Sequence, residues 1–446
     1  MLKRGRYVHC VYDASINHHV VVDLNTKRRL VIDERRFPAF ERVLREPNEI
    51  QSFSPTELAV RELLERLSFL LPANYDEIAD LEQRYWAEKR CVQNLSLGIV
   101  LTQKCNFRCV YCNQEHFGDS LSSNDAARIV AFVEREAPNL EQFYVTWWGG
   151  EPLLKLKTIE SLTQQFLRIC DAHSVVYRAF TSTNASLITP EVAARLSELR
   201  LSQYQISIDG PRELHDAQRP LANNAGTYDS VLSGLKNLVR ASRANSPFIT
   251  LRVHTTGLLH ADHQAWAKFL DDLDECKVFI KLHFIAAHDS FRFGSEQTVS
   301  SKDMTLRLSD VLDEARNRGF VLAESALLNR DTLMHCGAIS DRSWFVLPGS
   351  RLTRCNSAFN DPKNDCGSLD DHGFMHLYDR AKEWIDHSPF TYSECVNCDV
   401  LPICMGGCRI VDFKHPSDAR CQIKRSVRAA ILESTRSYKT EVRVDT

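Results

Sequence analysis

The sequence predicts an α/β protein built around a partial (β/α)6 barrel of the TIM type. Six apolar strand candidates alternate with amphipathic helix candidates across residues 93–320. Since parallel neighbours need a crossover, this alternation indicates a parallel sheet, and six repeats are too few for a closed eight-stranded barrel. A small α+β winged-helix-like module is predicted for residues 1–92, and a cysteine-rich domain for residues 321–446, where eight of the 15 cysteines lie.

Composition narrows the classes of function. The 446 residues include 55 Lys and Arg against 58 Asp and Glu, a net charge of -3, so we expect no nucleic-acid partner. No secretion signal and no run of about 18 apolar residues is present, so we expect no membrane association and a cytoplasmic location. In a reducing compartment, this many cysteines favour metal or redox chemistry over disulfides.

The N-terminal module is predicted from short strands followed by three helical patterns. The strand candidates are Val8–Tyr12, His19–Leu24 and Arg29–Ile32, and the helix candidates are Glu34–Arg45, Pro55–Leu70 and Tyr75–Glu88. A module of this kind can dock a peptide along a strand edge. A structural cap on the next domain explains the same pattern equally well.

The barrel is predicted from six strand–helix repeats. Its strand candidates are Leu95–Leu101, Phe143–Trp147, Val175–Thr181, Gln203–Ile208, Phe248–Thr255 and Val278–Ile285. Its helix candidates are Asn124–Glu136, Leu156–Ala172, Pro190–Leu199, Tyr228–Ala241, Ala261–Leu273 and Lys302–Arg318. In such sheets the chemistry lies at the C-terminal ends of the strands.

A cysteine loop follows the first strand. Cys105, Cys109 and Cys112 have the spacing C-x3-C-x2-C. Cysteine thiolates are the usual ligands of iron–sulfur clusters, and three of them can hold three irons of a cubane. The fourth iron would then be open to a small ligand that binds through nitrogen and oxygen.

Polar and glycine residues close the next three strands. The clusters are Gly149-Gly150-Glu151-Pro152, Ser182-Thr183-Asn184, and Ser207 with Asp209-Gly210-Pro211, followed by His215, Asp216 and Arg219. Each cluster alone is ordinary. Together they indicate a pocket for a ligand with an amine, a carboxylate and a ribose, because a glutamate accepts from an ammonium and an arginine pairs with a carboxylate.

The C-terminal cysteines form a second array. Five of them have the spacing Cys395-x2-Cys398-x5-Cys404-x3-Cys408-x12-Cys421. With Cys336 and Cys355 there are enough thiols for two metal sites. Spacing alone leaves zinc and iron–sulfur clusters open.

These motifs resemble a known family. The cysteine loop with Tyr111, and the Gly-Gly-Glu-Pro run, are similar to motifs of the radical SAM superfamily. The stretch from Ser207 to Arg219 and the C-terminal array resemble its SPASM branch. The resemblance implies a [4Fe-4S] cluster on Cys105, Cys109 and Cys112 that binds S-adenosylmethionine (SAM) and yields a 5'-deoxyadenosyl radical. The SAM contacts that it implies are Tyr111, Gly149, Gly150, Glu151 at the amine, Asn184, Ser207 at the ribose and Arg219 at the carboxylate.

The resemblance also implies two auxiliary [4Fe-4S] clusters. Cys395, Cys398, Cys404 and Cys421 would hold the second one. Cys336, Cys355 and Cys408 would hold the first, with Cys366 as a possible fourth ligand or with one iron open. An external electron donor such as flavodoxin or ferredoxin would reduce the enzyme.

One departure narrows the function. Sulfatase-maturing relatives place an Asp base directly after the residue that corresponds to Cys355, whereas this chain has Asn356, which cannot act as a carboxylate base. Residues 1–92 resemble the leader-binding modules of peptide maturases. The predicted function is therefore a maturase that abstracts a side-chain hydrogen from a ribosomally synthesised precursor peptide and forms an intramolecular C–C, ether or thioether crosslink.

Two alternatives stay open. One is an anaerobic sulfatase-type formylglycine maturase that uses another base. The other is a non-catalytic, metal-stabilised peptide-binding protein, although such a scaffold has no need of an open iron. No general acid or base is assigned from the sequence, and the polar candidates near the predicted pocket are His283, His288, Asp289 and His335.

Overall fold

The computed structural model describes residues 1–14, 16–112, 114, 118–241, 248–254, 262–285, 310–322, 332–334, 336–356, 359–410 and 431. The chain divides into two compact units. The first comprises Met1–Arg90, Glu324–Asp341 and Asp386–Thr446, and the second comprises Cys91–Ala323 and Arg342–Ile385. No helix in the described ranges has both the length and the apolar character needed to cross a membrane.

The first unit begins with small antiparallel sheets and three helices, as the sequence predicts for this region. Its strands are β1 (Leu2–Arg4), β2 (Val8–Asp13), β3 (His18–Asp23), β4 (Arg29–Asp33) and β5 (Leu70–Pro72), and its helices are α1 (Phe37–Arg45), α2 (Pro55–Arg66) and α3 (Glu77–Lys89). Strands β2, β3 and β4 form one antiparallel sheet, and β1 pairs with β5. Ser54 and Glu57 form a capping box on α2, and the Asp76 side chain caps α3, which explains where both helices begin.

The second unit contains one large sheet. Its strands are β6 (Asn94–Thr102), β7 (Gln142–Gly149), β8 (Val176–Thr183), β9 (Leu201–Ser207), β10 (Phe248–His254), β11 (Ile280–Ile285), β12 (Val321–Leu322), β13 (Ser343–Leu347), β14 (Arg351–Thr353), β15 (Gly367–Leu369) and β16 (Met375–Leu377). The order is β12-β11-β10-β9-β8-β7-β6-β13-β14-β15-β16. Strands β6 to β11 are parallel neighbours in chain order, which confirms the predicted alternation and the α/β class.

Crossover helices connect these strands, as a parallel sheet requires. The helices of this unit are α4 (Ser123–Glu136), α5 (Leu156–His173), α6 (Pro190–Glu198), α7 (Arg212–Gln218), α8 (Tyr228–Ala241), α9 (His263–Leu273), α10 (described over 310–317) and α11 (Asp379–Ile385). Ser122, Thr189 and Asp262 cap α4, α6 and α9 with their side chains. Strand β6 is buried along almost its whole length, whereas in β7 to β10 buried residues largely alternate with partly exposed ones.

Two further findings extend the sequence prediction. Strand β12 adds to one edge of the sheet and β13 to the other, parallel to β11 and β6 respectively. Strands β14 to β16 continue from β13 as antiparallel neighbours. The large sheet therefore includes residues well beyond the six alternating repeats.

The cysteine-bearing C-terminal segment belongs to the first unit. It contains two short helices, α12 (Ser393–Val396) and α13 (Leu401–Cys404). One hydrophobic core joins this segment to the N-terminal strands and to α3. Its buried residues are Tyr7, Val11, Val20, Val22, Leu24, Leu81, Tyr85, Ile339, Val400, Leu401, Ile403, Met405 and Ile431.

Candidate active site

The loop that carries the first three cysteines lies at the C-terminal end of β6. Its backbone is fixed by the segment that follows α7. The amide of Arg108 donates to the carbonyl of Pro220 (2.7 Å), and the amide of Val110 donates to the carbonyl of Gln218 (2.9 Å). The Arg108 guanidinium also donates to the Cys105 carbonyl at 2.7 Å. The loop is therefore held in place by the connection between the fourth strand of the repeats and its helix Tyr228–Ala241.

The three thiols are near one another and partly buried. Burial, with the negative charges of Glu151, Cys109 and Cys112 adding to it and the Phe107 amide opposing it, raises the pKa of Cys105 to about 12. Burial also raises the pKa of Cys109, although Arg219 opposes this effect. A metal ion or cluster would supply the positive charge that such thiols need to ionise. In the described part of the chain, no three His, Cys, Asp or Glu side chains converge closely enough to hold a single metal ion.

Two glycines at the end of β7 allow this loop to lie directly against the strand. The amide of Gly150 donates to the Thr102 carbonyl at 2.9 Å, and the amide of Glu151 donates to the Lys104 carbonyl at 3.0 Å. A Cβ at Gly149 would come within 2.4 Å of the Thr102 oxygen, and a Cβ at Gly150 within 2.4 Å of the Lys104 oxygen. The sequence predicts glycine here for close approach to a ligand, and the structure shows close approach to the cysteine loop.

Glu151 links the ends of β7 and β8. Its carboxylate is fully buried and accepts three hydrogen bonds, from the Thr183 hydroxyl (2.7 Å), the Asn184 amide (2.8 Å) and the Leu153 amide (3.0 Å). Burial raises the pKa of Glu151, and these hydrogen bonds together with Arg219 only partly oppose the rise. The glutamate is thus a rigid, buried acceptor beside the cysteine loop.

Asn184 touches the cysteine loop through side chains. Its amide nitrogen donates to the Asn106 oxygen at 2.9 Å and lies 4.0 Å from the Cys105 sulfur. Its own oxygen accepts from the amide and the hydroxyl of Ser186. Asn106 donates to the same hydroxyl at 3.0 Å. A closed polar cluster therefore fixes the first cysteine relative to the end of β8.

Asp209 joins the cysteine loop to the fourth and fifth strands. Its Oδ2 accepts from the Tyr111 hydroxyl at 2.7 Å, and its Oδ1 lies 2.9 Å from His254 Nδ1. Burial would raise the pKa of Asp209, but Arg219 and the hydrogen bond from His254 outweigh burial and lower it to about 2. Asp209 is therefore a buried carboxylate that remains ionised.

Arg219 completes this network. Its guanidinium donates to the Tyr111 oxygen and lies 5.7 Å from the centre of the Phe107 ring. The residue is 6% exposed, and its Nε is buried without a hydrogen-bond partner among the described residues. An unpaired donor on a buried cation is costly, so it marks a place where an anionic ligand group fits.

His215 stabilises the turn that carries Asp209. Its Nδ1 accepts from the Asp209 amide at 3.1 Å, so its Nε2 carries the proton and donates to Thr227 Oγ1 at 3.0 Å. Burial, with Arg219 adding, lowers the pKa of His215 to about 3. The carboxylate of Asp216 accepts from the amides of Thr227 and Tyr228 at the start of α8. The contacts of His215 and Asp216 are therefore structural, and they explain why these two residues stand at these positions.

The remaining candidates are placed as follows. Ser207 ends β9, where it is in register with Arg252 of β10. His283 lies in β11, where burial and then Arg252 and His254 lower its pKa. Cys366 precedes β15, and burial raises its pKa to about 11. Cys421, His288, Asp289 and His335 lie outside the described residues.

Sequence reasoning assigned no role to His254 or Asn106. His254 is the last residue of β10, so its position at a strand end is the signal that identifies it. Asn106 stands inside the cysteine loop. Asparagine is common in turns, so nothing in the sequence distinguishes it.

Three cysteines of the C-terminal segment pack against the hydrophobic core that this segment shares with the N-terminal strands. Cys395, Cys398 and Cys404 pack against the shared hydrophobic core. His9 lies 3.1 Å from the Asp399 carbonyl through Nε2, and Arg6 donates to the Asn397 side chain at 3.4 Å. The N-terminal module therefore supports the loop that carries Cys398.

Comparison with known proteins agrees with this geometry. Residues 99–273 match the model of the radical SAM superfamily. The mycofactocin maturase MftC of Mycobacterium tuberculosis is 34% identical over 326 residues, which cover 70% of this chain and 78% of MftC.

Two solved structures are similar in fold. Native anSMEcpe with bound AdoMet and Kp18Cys peptide gives a TM-score of 0.59 at 19% identity, and the match covers 77% of this chain and 99% of that one. Streptococcus suis SuiB bound to the precursor peptide SuiA gives a TM-score of 0.52 at 14% identity, and the match covers 95% of this chain and 100% of SuiB. The match to SuiB extends over a larger share of this chain than the match to anSMEcpe.

Proposed function

Because this chain belongs to the radical SAM superfamily, among its peptide maturases, we propose that it forms an intramolecular crosslink in a ribosomally synthesised precursor peptide. The observation that carries this proposal is the cysteine loop, which is hydrogen-bonded to the ends of β7, β8 and β9. At the end of β8, Asn184 Nδ2 lies 4.0 Å from the Cys105 sulfur. The related proteins MftC and SuiB, a maturase and a protein solved with its precursor peptide, support the peptide as substrate.

The residues at the strand ends fit the family's cofactors, a [4Fe-4S] cluster and SAM. Cys105, Cys109 and Cys112 would hold the cluster, and the raised pKa values of Cys105 and Cys109 suit ligands that ionise on metal binding. The cluster and SAM together supply a carbon-centred radical that removes a hydrogen atom from the substrate. The protein contributes orientation and exclusion of water.

The SAM contacts are proposals that the geometry supports to different degrees. Arg219 would bind the methionine carboxylate, because its buried Nε lacks a partner among the described residues. Glu151 would attract the amine by its charge, while its carboxylate orders the Asn184 backbone. We assign the ribose to Ser207, and further contacts to the backbone of Tyr111, Gly149 and Gly150 and to Asn184.

The finer architecture is also part of the proposal. We infer that the large sheet curves into a partial (β/α)6 barrel and that residues 1–92 form a winged-helix-like module that helps to bind the leader of the precursor. The three-stranded antiparallel sheet and three helices of this region support the second inference.

The C-terminal cysteines would hold two auxiliary [4Fe-4S] clusters in a SPASM domain. Cys395, Cys398, Cys404 and Cys421 would form one site, and the packing of the first three against one core supports their grouping. The assignment of Cys336, Cys355 and Cys408 to the other, with Cys366 as a possible fourth ligand, stays a prediction from the sequence. Flavodoxin or ferredoxin would supply electrons, and a reducing cytoplasm suits such clusters.

Anaerobic reconstitution tests the proposed function. The protein is reconstituted with iron and sulfide, then incubated with SAM, a reductant and a short peptide encoded beside the gene. We expect 5'-deoxyadenosine and a peptide that has lost two hydrogen atoms. The variant with Ala at Cys105, Cys109 and Cys112 should form neither product. Absence of 5'-deoxyadenosine from the intact protein would refute the enzymatic proposal.

The two alternative functions predict different experimental results. A sulfatase-type maturase would convert the Cys or Ser of a sulfatase peptide to formylglycine, which Asn356 disfavours because an amide cannot accept the substrate proton. A non-catalytic binding protein would bind the precursor equally well after the triple Cys substitution. Metal analysis that finds zinc in place of iron would support this second rival.

A further inference from the structure

His254 and Asp209 form a histidine–carboxylate pair beside the cysteine loop. Asp209 is 1% exposed, and its Oδ1 lies 2.9 Å from His254 Nδ1. An ionised carboxylate only accepts hydrogen bonds, so Nδ1 carries a proton. In a neutral imidazole the lone pair is then on Nε2, the arrangement by which a buried Asp orients a catalytic histidine.

Nε2 of His254, the ring nitrogen that does not contact Asp209, is available to a substrate group. The His254 side chain is 16% exposed, and within the described residues its Nε2 has no hydrogen-bond partner. The ring lies 4.4 Å from the Tyr111 ring, measured between centroids, and Tyr111 stands between two of the cluster cysteines. A substrate group at the C-terminal ends of the strands would therefore meet a basic nitrogen next to the cysteine loop.

The charged and titratable groups that face this pair come from several elements. Asp209 follows β9, Tyr111 lies on the cysteine loop, and Arg219 follows α7. Arg252 lies on the same strand as His254, and His283 faces it from β11. Asp209 is the carboxylate in contact with His254.

Other candidates for a base are less suitable. Both ring nitrogens of His215 are engaged, and the residue is fully buried. Glu151 is fully buried and already accepts three hydrogen bonds. Asn356 cannot take a proton from a substrate.

We propose that His254 is the general base of peptide crosslinking and that Asp209 is its positioning residue. This inference rests on the proposed function. After hydrogen-atom removal, the peptide carbon radical forms a bond to a neighbouring group Y–H, and the Y–H bond breaks. The proton goes to His254 Nε2, and the one surplus electron goes to an oxidised iron–sulfur cluster.

Substitution of His254 tests its role as a base independently of radical formation. In His254→Asn the side-chain amide can still donate to Asp209, but the basic nitrogen is lost. We expect the yield of crosslinked peptide per 5'-deoxyadenosine to fall by about 10²–10⁴-fold. The exposed His173 provides the control variant His173→Asn, which should retain the wild-type ratio. An unchanged ratio in His254→Asn would overturn the proposal, and so would a parallel loss of 5'-deoxyadenosine and product.

Chemical rescue provides a second variant. His254→Ala leaves space for free imidazole, which should restore crosslinking in a concentration-dependent way without changing the yield of 5'-deoxyadenosine. The acid limb of the crosslinking rate should then follow the titration of the added imidazole. A variant that folds and retains its iron but gains nothing from imidazole would contradict the role of a base.

A labelling experiment needs no precursor peptide. The reconstituted enzyme is treated with diethyl pyrocarbonate, and the modified histidines are identified by mass spectrometry. We expect His254 and the exposed His173 to react, and the buried His215 to remain unmodified. If His173 reacts and His254 does not in the same experiment, Nε2 of His254 is unavailable and the proposal fails. If no peptide is crosslinked, the proposed function fails. The labelling result would still show whether His254 Nε2 is accessible, because it does not depend on crosslinking.

Discussion

The Tyr111 hydroxyl donates a 2.7 Å hydrogen bond to the carboxylate of Asp209, which lies 98 residues further along the chain. The Arg219 guanidinium donates to the same phenol oxygen. One buried hydroxyl thus connects the cysteine loop, the end of β9 and the segment after α7. Fixing the loop at this point fixes the residues on either side of Tyr111, which include two of the three cysteines.

Removing this hydroxyl should weaken the loop. Tyr111→Phe leaves Asp209 and Arg219 each without one buried partner, so we expect a loss of about 1–3 kcal/mol in the free energy of unfolding. Denaturant unfolding of the metal-free protein measures this loss. The iron retained after reconstitution should fall as well, because the cysteines lose their support.

Tyr204→Phe is the matched control. The Tyr204 hydroxyl is also buried, but it donates to the Leu201 carbonyl within β9, away from the cysteine loop. This change should lower stability without lowering iron content. Equal iron in Tyr111→Phe and wild type would contradict a supporting role for the phenol.

Gly150→Ala should disrupt the contact between the loop and β7. Its Cβ would lie 2.4 Å from the Lys104 carbonyl oxygen, which is backbone and cannot move away cheaply. We expect the bound iron per chain to fall well below the wild-type level, as measured by metal analysis. Gly319→Ala is the control, because Gly319 has a φ of +82° but no neighbour within 4 Å. That variant should lose about 1 kcal/mol through backbone strain and retain its iron.

The sequence predicts the strand ends of the site better than the contacts made there. Parallel strands bring their C-terminal ends to one edge, so the proximity of the cysteine loop to Glu151, Asn184 and Asp209 follows from topology. The pairing of His254 with Asp209 depends on the register of β9 and β10. Hydrophobic periodicity fixes the face on which each side chain lies, but a shift of two residues would keep every side chain on the same face and separate this pair. The core shared by Tyr7 and Leu401 joins residues nearly 400 positions apart, and local patterns carry no information about such contacts.

His215 should make the stability of the protein pH-dependent. Burial lowers its pKa to about 3, whereas an unfolded histidine titrates at about 6.5. Between these values the unfolded chain binds a proton that the folded protein does not. Stability is therefore fully present above about pH 6.5, and it falls by up to about 1.4 kcal/mol per pH unit as the pH decreases towards 3.

His215→Gln should remove this contribution. The variant is expected to be less stable than wild type at pH 7, because the buried ring and its two hydrogen bonds are lost. The difference should narrow as the pH falls from 7 to 4.5, as measured by denaturant unfolding at each pH. A constant difference across this range would show that His215 does not titrate as its burial implies.

Leu401 tests whether the N-terminal module supports the C-terminal cysteines. It is buried in the core formed with Tyr7, Val11 and Leu81, and Cys404 packs against the same core. Leu401→Ala should cost about 2–5 kcal/mol, as expected for a large-to-small change at a buried site. Because the cavity lies beneath the cysteine segment, the iron bound per chain should fall together with stability. The iron bound by Cys105, Cys109 and Cys112 should remain.

Leu64→Ala distinguishes this effect from general destabilisation. Leu64 is equally buried in the same unit, but it lies in the separate core under β3 and α1. The cost in stability should be similar, and the iron content should remain at the wild-type level. If both variants lose iron in proportion to stability, the cysteine segment depends only on the folding of the whole unit. If Leu401→Ala alone loses iron, the core that the cysteine segment shares with the N-terminal strands supports the metal sites directly, because Cys395, Cys398 and Cys404 pack against it.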